Sequence, residues 1–242
     1  MCKPILSIIC ASLAALTLSG CSRTSSFMIR NELTGIETKD ALTIVLTEYM
    51  ECNADDSPSC KVLPHSKSTE KKFERCLSSE IHARRPELTI ISADEFRQAV
   101  FPGIGRDAVP RTAEDYMPLI KEPYFHRYIK LNNLHYTIFL KVLFQSGPSH
   151  WQFAADHGQS LPLWGISKEW GKVSSIEANI LDMYKYVQSG SVRSSSVGRT
   201  GFVIPVIIII PLPPVPWFAM TETNTCEELG NALMQFIEGG NF

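Results

Sequence analysis

Seven cysteines and six histidines are the chain's main stock of reactive side chains. Their spacing decides which chemistry is open to them. Cys52, Cys60, Cys76 and Cys226 form no CxxC pair and no Cys-His pair at ligand spacing, so a metal site is not expected. The histidines are scattered and make neither HxxxH nor HExxH. His150 and His157 flank a strand and are expected at the surface. No GxSxG nucleophile elbow is present, and Ser194–Ser196 reads as a strand end or loop. Gly103-Ile104-Gly105-Arg106-Asp107 has the look of a glycine phosphate loop. It follows a helix where such a loop follows a strand, so a turn is expected. Asp182 falls at a strand end with no recognisable partner. His82, Arg84 and Arg85 close a helix, where positive charge opposes the dipole. Trp151, Trp164, Trp170 and Trp217 are expected in core or sheet-face positions, with a sugar-stacking surface as the alternative. No catalytic residue, metal or cofactor emerges from these patterns.

Cys21 stands apart. It closes Leu18-Ser19-Gly20-Cys21, behind a largely apolar run from Ile5 to Leu18 and a basic residue, Lys3. Fourteen residues are too few for a comfortable membrane span. The stretch resembles a type II bacterial signal peptide with its lipobox. That resemblance implies removal of residues 1–20 and acylation of Cys21, which would then tie the protein to a lipid bilayer. The competing readings are a buried N-terminal helix and an uncleaved anchor. Each buried methylene of a lipid contributes about 0.8 kcal/mol, so two or three acyl chains suffice to hold a domain at a membrane. Ser22 follows Cys21, and an Asp there would resemble an inner-membrane retention signal. A periplasm-facing outer-membrane location is therefore expected, with the inner membrane second.

Residues 21–33 are expected as a lipidated tether and residues 34–242 as a single α/β domain. The whole chain has a formal charge of −2. Loss of the signal segment, with Lys3 and no acid, takes this to −3. No nucleic-acid surface follows from such a balance. In an oxidising compartment the four remaining cysteines imply two disulfides. Three connectivities are open; the favoured one pairs Cys52 with Cys60 and Cys76 with Cys226.

Strands are expected at 41–47 and 88–91, and a helix from Ser68 to Arg84. Capping boxes at Ser92–Glu95 and Thr112–Asp115 start two further helices. Pro123 begins another, which Asn132-Asn133 ends. Alternation from Leu134 to Phe144 marks the clearest strand, and Gln145–Ser149 is expected as a hairpin turn. A β-meander follows, with turns at Gly171-Lys172 and Gln188–Gly190. A helix from Cys226 to Ile237 closes the chain.

Residues 203–218 (VIPVIIIIPLPPVPWF) carry no charge and five prolines. Proline excludes a membrane helix here. One reading buries residues 206–210, including Ile208, as a strand and leaves Pro211, Pro214, Trp217 and Phe218 in an extended surface connector. The other makes the same residues an exposed arm for a membrane or a partner.

The expected architecture is thus an α/β (α+β) mixed sheet with a β-meander, helices mainly on one face, and a C-terminal helix. This element order resembles the periplasmic modules of the TolB N-terminal and curli-secretion lipoprotein type. The segments Ala93–Arg97 (ADEFR) and Phe101–Gly103 (FPG) resemble a group of uncharacterised proteobacterial lipoproteins. Without a convergent catalytic set, the expected role is a non-enzymatic scaffold or partner-binding protein of the cell envelope. An accessory of envelope transport or secretion, as the resemblance implies, and a hydrolase with an unrecognised site are the alternatives.

Overall fold

The structure, a computed structural model, describes residues 22–30, 40–53, 59–63, 67–105, 108–110, 113–155, 164–207, 210–211, 215–218 and 220–238. The alternating apolar residues after Asn133 become the middle of one mixed sheet. Its strands are β1 (Ser22–Arg30), β2 (Ala41–Asn53), β3 (Ser59–Val62), β4 (Thr89–Ile91), β5 (Leu134–Ala155), β6 (Trp164–Asp182), β7 (Val187–Ile207), β8 (Ile210–Pro211) and β9 (Val215–Trp217). They lie in the order β1-β7-β6-β5-β2-β3, with β4 beside β2 and with β8 and β9 beside β7. β2 is parallel to β5 and β4, while β5, β6 and β7 form an antiparallel meander. The helices are α1 (Lys67–Arg84), α2 (Ala93–Val100), α3 (Ala113–Ile120), α4 (Pro123–Asn132) and α5 (Thr221–Ile237).

Local signals place these helices as the sequence implies. The Ser92 hydroxyl accepts the Glu95 amide at 3.2 Å and caps α2. Pro123 opens α4, and Asn133 ends it with φ 50° in the left-handed region. α5 begins earlier than expected, at Thr221, and Thr225 lies inside it with its hydroxyl donating to the Thr221 carbonyl.

The helices cover both faces of the sheet, which corrects the expectation that they lie mainly on one. Leu42, Ile138, Leu140 and Ile180 pack with Phe73 and Leu77 of α1 and with Leu229 and Leu233 of α5. The opposite pleat presents Val45, Phe139 and Leu181 to Phe96, Tyr116 and Phe125 of α2, α3 and α4. Helical periodicity shows that a stripe must be buried but not which side of a sheet will bury it.

The meander also differs from its expected form. Gln145–Ser149 and Gly171-Lys172 are not turns. β5 runs for 22 residues, β6 for 19 and β7 for 21, well beyond the usual five or six. The extra residue of β5 is absorbed by a register shift between Ser146 and Ser149. Pro148 falls there, where a missing amide breaks no ladder bond. Gly190, expected within a turn, lies inside β7 against β1. A Cβ on it would come within 2.2 Å of the Ile29 carbonyl oxygen, so this close approach requires glycine.

Two further expectations change. Ser22–Arg30 is not a free tether: it forms β1 and pairs residue by residue with β7. Residues 206–210 are not one strand. Val206 pairs with Pro211 and Ile207 with Ile210, so the chain reverses between them. Ile208 and Pro214 lie outside the described residues. The returning segment is paired rather than a loose connector, since Val215–Trp217 lies against Gly201–Val203. It forms an outer strand, which tolerates the proline at 216.

Both cysteine pairs join as favoured. Cys52 and Cys60 sit opposite each other across the β2–β3 hairpin. Cys76 and Cys226 link α1 to α5, 150 residues apart. Gly230 lets these helices meet, for a Cβ there would lie 2.5 Å from the Glu80 Cβ. In the chain-entropy model the long bridge contributes about 5 kcal/mol and the short one about 2.5 kcal/mol. Replacing Cys76 and Cys226 together by Ser is therefore expected to lower stability roughly twice as much as replacing Cys52 and Cys60, as measured by denaturant unfolding.

Candidate functional site

Beyond Ser146 and Gly198 the sheet outgrows its neighbours. β2 pairs with β5 only as far as Ser146, and β1 pairs with β7 only from Gly190 to Gly198. The last stretches of β5 and β7 and the first of β6 continue as a ribbon of about nine residues per strand, roughly 30 Å long. β8 and β9 line its outer edge.

The register sorts the ribbon into two faces. Trp151, Lys168, Phe202 and Pro216 are successive cross-strand partners, so they share one face. Ile166 and Ile204, another partner pair, and Trp170 lie two residues along on the same side. The rings touch: Trp151 and Phe202 have centroids 5.9 Å apart, and Trp170 and Phe202 6.5 Å. The Lys168 ammonium lies 5.2 Å from the Trp151 ring centroid, a cation–π contact. Trp151 nevertheless remains 59% exposed. The other face carries His150, Glu169 and Arg199, and Arg199 pairs with Glu169 at 3.6 Å. Phe218 and Met220, between β9 and α5, are 62% and 60% exposed.

β1 ends at the root of this ribbon. Ser22 is the register partner of Gly198, and the Asn224 side-chain amide of α5 donates to its hydroxyl. The Ser26 hydroxyl donates to Glu228 at 2.7 Å. Cys21 lies outside the described residues, but it is the neighbour of Ser22 in the chain. Of the arm residues singled out in the sequence, Pro211 falls in β8, Trp217 in β9 and Phe218 immediately after it.

The remaining candidates form no site among the described residues. His150 is exposed, and His157 lies outside the described residues. Gly103 and Ile104 do border a cavity with Arg97. The Arg97 guanidinium, however, already makes two bonds to Glu70 at 2.7 and 2.6 Å and a third to Asp94 at 3.0 Å. Its charge is spent within the protein, and Arg106 and Asp107 of the candidate loop lie outside the described residues. Arg84 donates to Asn231 at 2.7 Å and helps join α1 to α5.

Sequence reasoning missed one buried polar cluster. His135 Nδ1 lies 2.8 Å from Asp40 and Nε2 3.8 Å from Asp182. Asp182 also accepts the Tyr184 and Lys185 amides at 2.9 and 2.8 Å, which fixes the turn from β6 to β7. The three residues are distant in sequence and meet only because β2, β5 and β6 are neighbours. Both ring nitrogens face carboxylates, so neither is presented to a substrate. The cluster clamps three strand ends together.

No family model matches the sequence, and no curated protein matches it. Among solved structures, a PelC dodecamer from Paraburkholderia phytofirmans superposes with TM-score 0.39 at 7% identity, covering 89% of this chain and 98% of that one. A neuraminyllactose-binding hemagglutinin homolog from Helicobacter pylori gives TM-score 0.29 at 9% identity, covering 86% of each chain. Likeness at that level assigns neither family nor function. What the geometry defines is a class: a mixed α/β sheet protein with an amphipathic β-ribbon.

The clamp makes stability depend on pH. Burial alone would lower the His135 pKa; the negative charges of Asp182 and Asp40 and the hydrogen bond with Asp40 outweigh it and raise the pKa above its ordinary value. The folded state therefore holds the proton more tightly than the unfolded chain. The resulting stabilisation is complete below the ordinary histidine value and is lost as pH rises through the raised one. His135→Asn is expected to lower the melting temperature more at about pH 6 than at about pH 9. An equal loss at both would remove protonated His135 as the cause.

Proposed function

We propose that this is a lipid-anchored protein of the bacterial cell envelope, held on the periplasmic face of the outer membrane by acyl chains on Cys21. Its role there is that of a non-enzymatic scaffold that binds an envelope partner. The observation that carries this reading is the place of Ser22. An acyl chain on Cys21 would join the sheet one residue before its first paired strand residue, at the root of the ribbon. Lipid and ribbon would then face the same side of the molecule, with the helical layers on the other. The lipobox at Leu18–Cys21 supplies the chemistry, and the paired β1 supplies the geometry.

A binding role draws on the same surface. The ribbon offers the exposed Trp151 ring, with Trp170 and Phe202 half-buried beside it, on one face and a paired acid and base on the other, an arrangement suited to contact rather than to bond-making. Bacteria fed radiolabelled fatty acid are expected to label the wild-type protein and not Cys21→Ala. Label persisting in Cys21→Ala would overturn the anchor.

A further inference from the structure

We infer that the aromatic face of the ribbon is a second membrane contact, seated in the headgroup layer of the bilayer. This rests on the anchored reading for the presence of a bilayer at that end of the molecule. The four tryptophans of the chain all fall within ribbon strands; by register 151, 164 and 170 share the aromatic face, while 217, partnered with Gly201, takes the face of Glu169. Tryptophan favours the membrane–water boundary, where its ring meets acyl chains and its indole N–H meets water. Trp151, Ile166, Trp170 and Phe202 lie on one face, while Glu169 and Arg199 take the other. The apolar side can thus enter a lipid surface while the ion pair stays in water.

Charge agrees with lipid as the occupant. Arg199 and Glu169 neutralise each other on the far face, which leaves Lys168, beside Trp151 on the aromatic face, as the charge that an anionic headgroup would meet. Residues 203–218 add no charge. The ribbon lies on the bilayer and does not cross it. Among the described residues β5 has no partner strand along its outer edge beyond Ser146, and hydrocarbon does not tolerate an open strand edge. The same edge remains hydrated when the ribbon lies in the headgroup layer. Its position fits this too, because Gly198 at the ribbon root is where the chain leaves toward Cys21.

The test uses the oxidised mature chain, residues 21–242 with Cys21→Ala, which carries neither an acyl group nor the apolar 5–18 run, with vesicles of phosphatidylethanolamine and phosphatidylglycerol. Cosedimentation is expected, with a blue shift of tryptophan emission. Quenching is expected to be stronger from lipids brominated near the headgroup than from those brominated deep in the chain. Trp151→Gln, at an exposed position, is expected to keep its melting temperature and weaken vesicle association about tenfold. Phe27→Gln, equally exposed but on β1 and away from the ribbon, is expected to change nothing. Absence of association, or equal association by Trp151→Gln, overturns the inference. So does a lipid-free dimer that Trp151→Gln dissociates, which would make a second copy the occupant. Fatty-acid labelling reads the anchor alone and vesicle binding of the unacylated chain reads the ribbon alone, so either can fail without the other.

Discussion

Everything distinctive in this molecule depends on a single continuous hydrogen-bond ladder through β5, β6 and β7. Side chains alternate with a period of two along a strand, so any uncompensated slip would exchange the two faces. Here the alternation must serve two environments in succession. In the body it sends Ile138, Ile176 and Val192 toward α1 and α5. In the ribbon the same pleat sends Trp170 and Phe202, both half-buried, to a face that no helix covers among the described residues. The shift of β5 against β6, between Ser146 and Ser149, is what brings Trp151 onto their side rather than the opposite one.

Around that ladder, the buried polar groups act as fasteners at fixed points. The Glu70–Arg97 pair joins α1 to α2, and burial makes its two bonds depend on each other. Removing one partner of such a pair leaves an uncompensated charge and costs about 3–5 kcal/mol. The Asp40–His135–Asp182 clamp gathers the opening of β5 with the close of β6. The Cys76–Cys226 bridge ties the last helix to the first. Each fastener lies in the body, and the ribbon is held by strand pairing and ring contacts.

Much of the body was legible in the sequence, because its signals are local. Ser92 before Glu95, Pro123 at a helix start and Asn133 at its end each state their role within a few residues. Two disulfides followed from the even number of remaining cysteines and the compartment the N-terminus implies, while their connectivity stayed one of three. The ribbon was not legible for a physical reason. Gly-Pro and Gly-Lys are turn signals in isolation, but Gly147 and Gly171 face each other across two strands, and a bulge accommodates the proline. Only the neighbouring strand reveals that. The His135 clamp was hidden in the same way, since nothing local links positions 40, 135 and 182. The apolar run at 203–218 was correctly seen as unusual, but five β-branched residues in a row concealed a reversal after Ile207.

The pairing of β1 has a mechanical consequence. Nine successive residues, Ser22 to Arg30, are matched to β7 in antiparallel register. A pull on the chain at Ser22, directed away from the body along the strand, loads all nine pairs side by side. A pull from the far end of a loose leader, acting across the strands, would open them one at a time like a zipper. Parallel loading shares the force, so the rupture of β1 demands that many bonds fail together. Were Cys21 to carry the proposed acyl chains, a pull through them would reach the domain along its strongest axis.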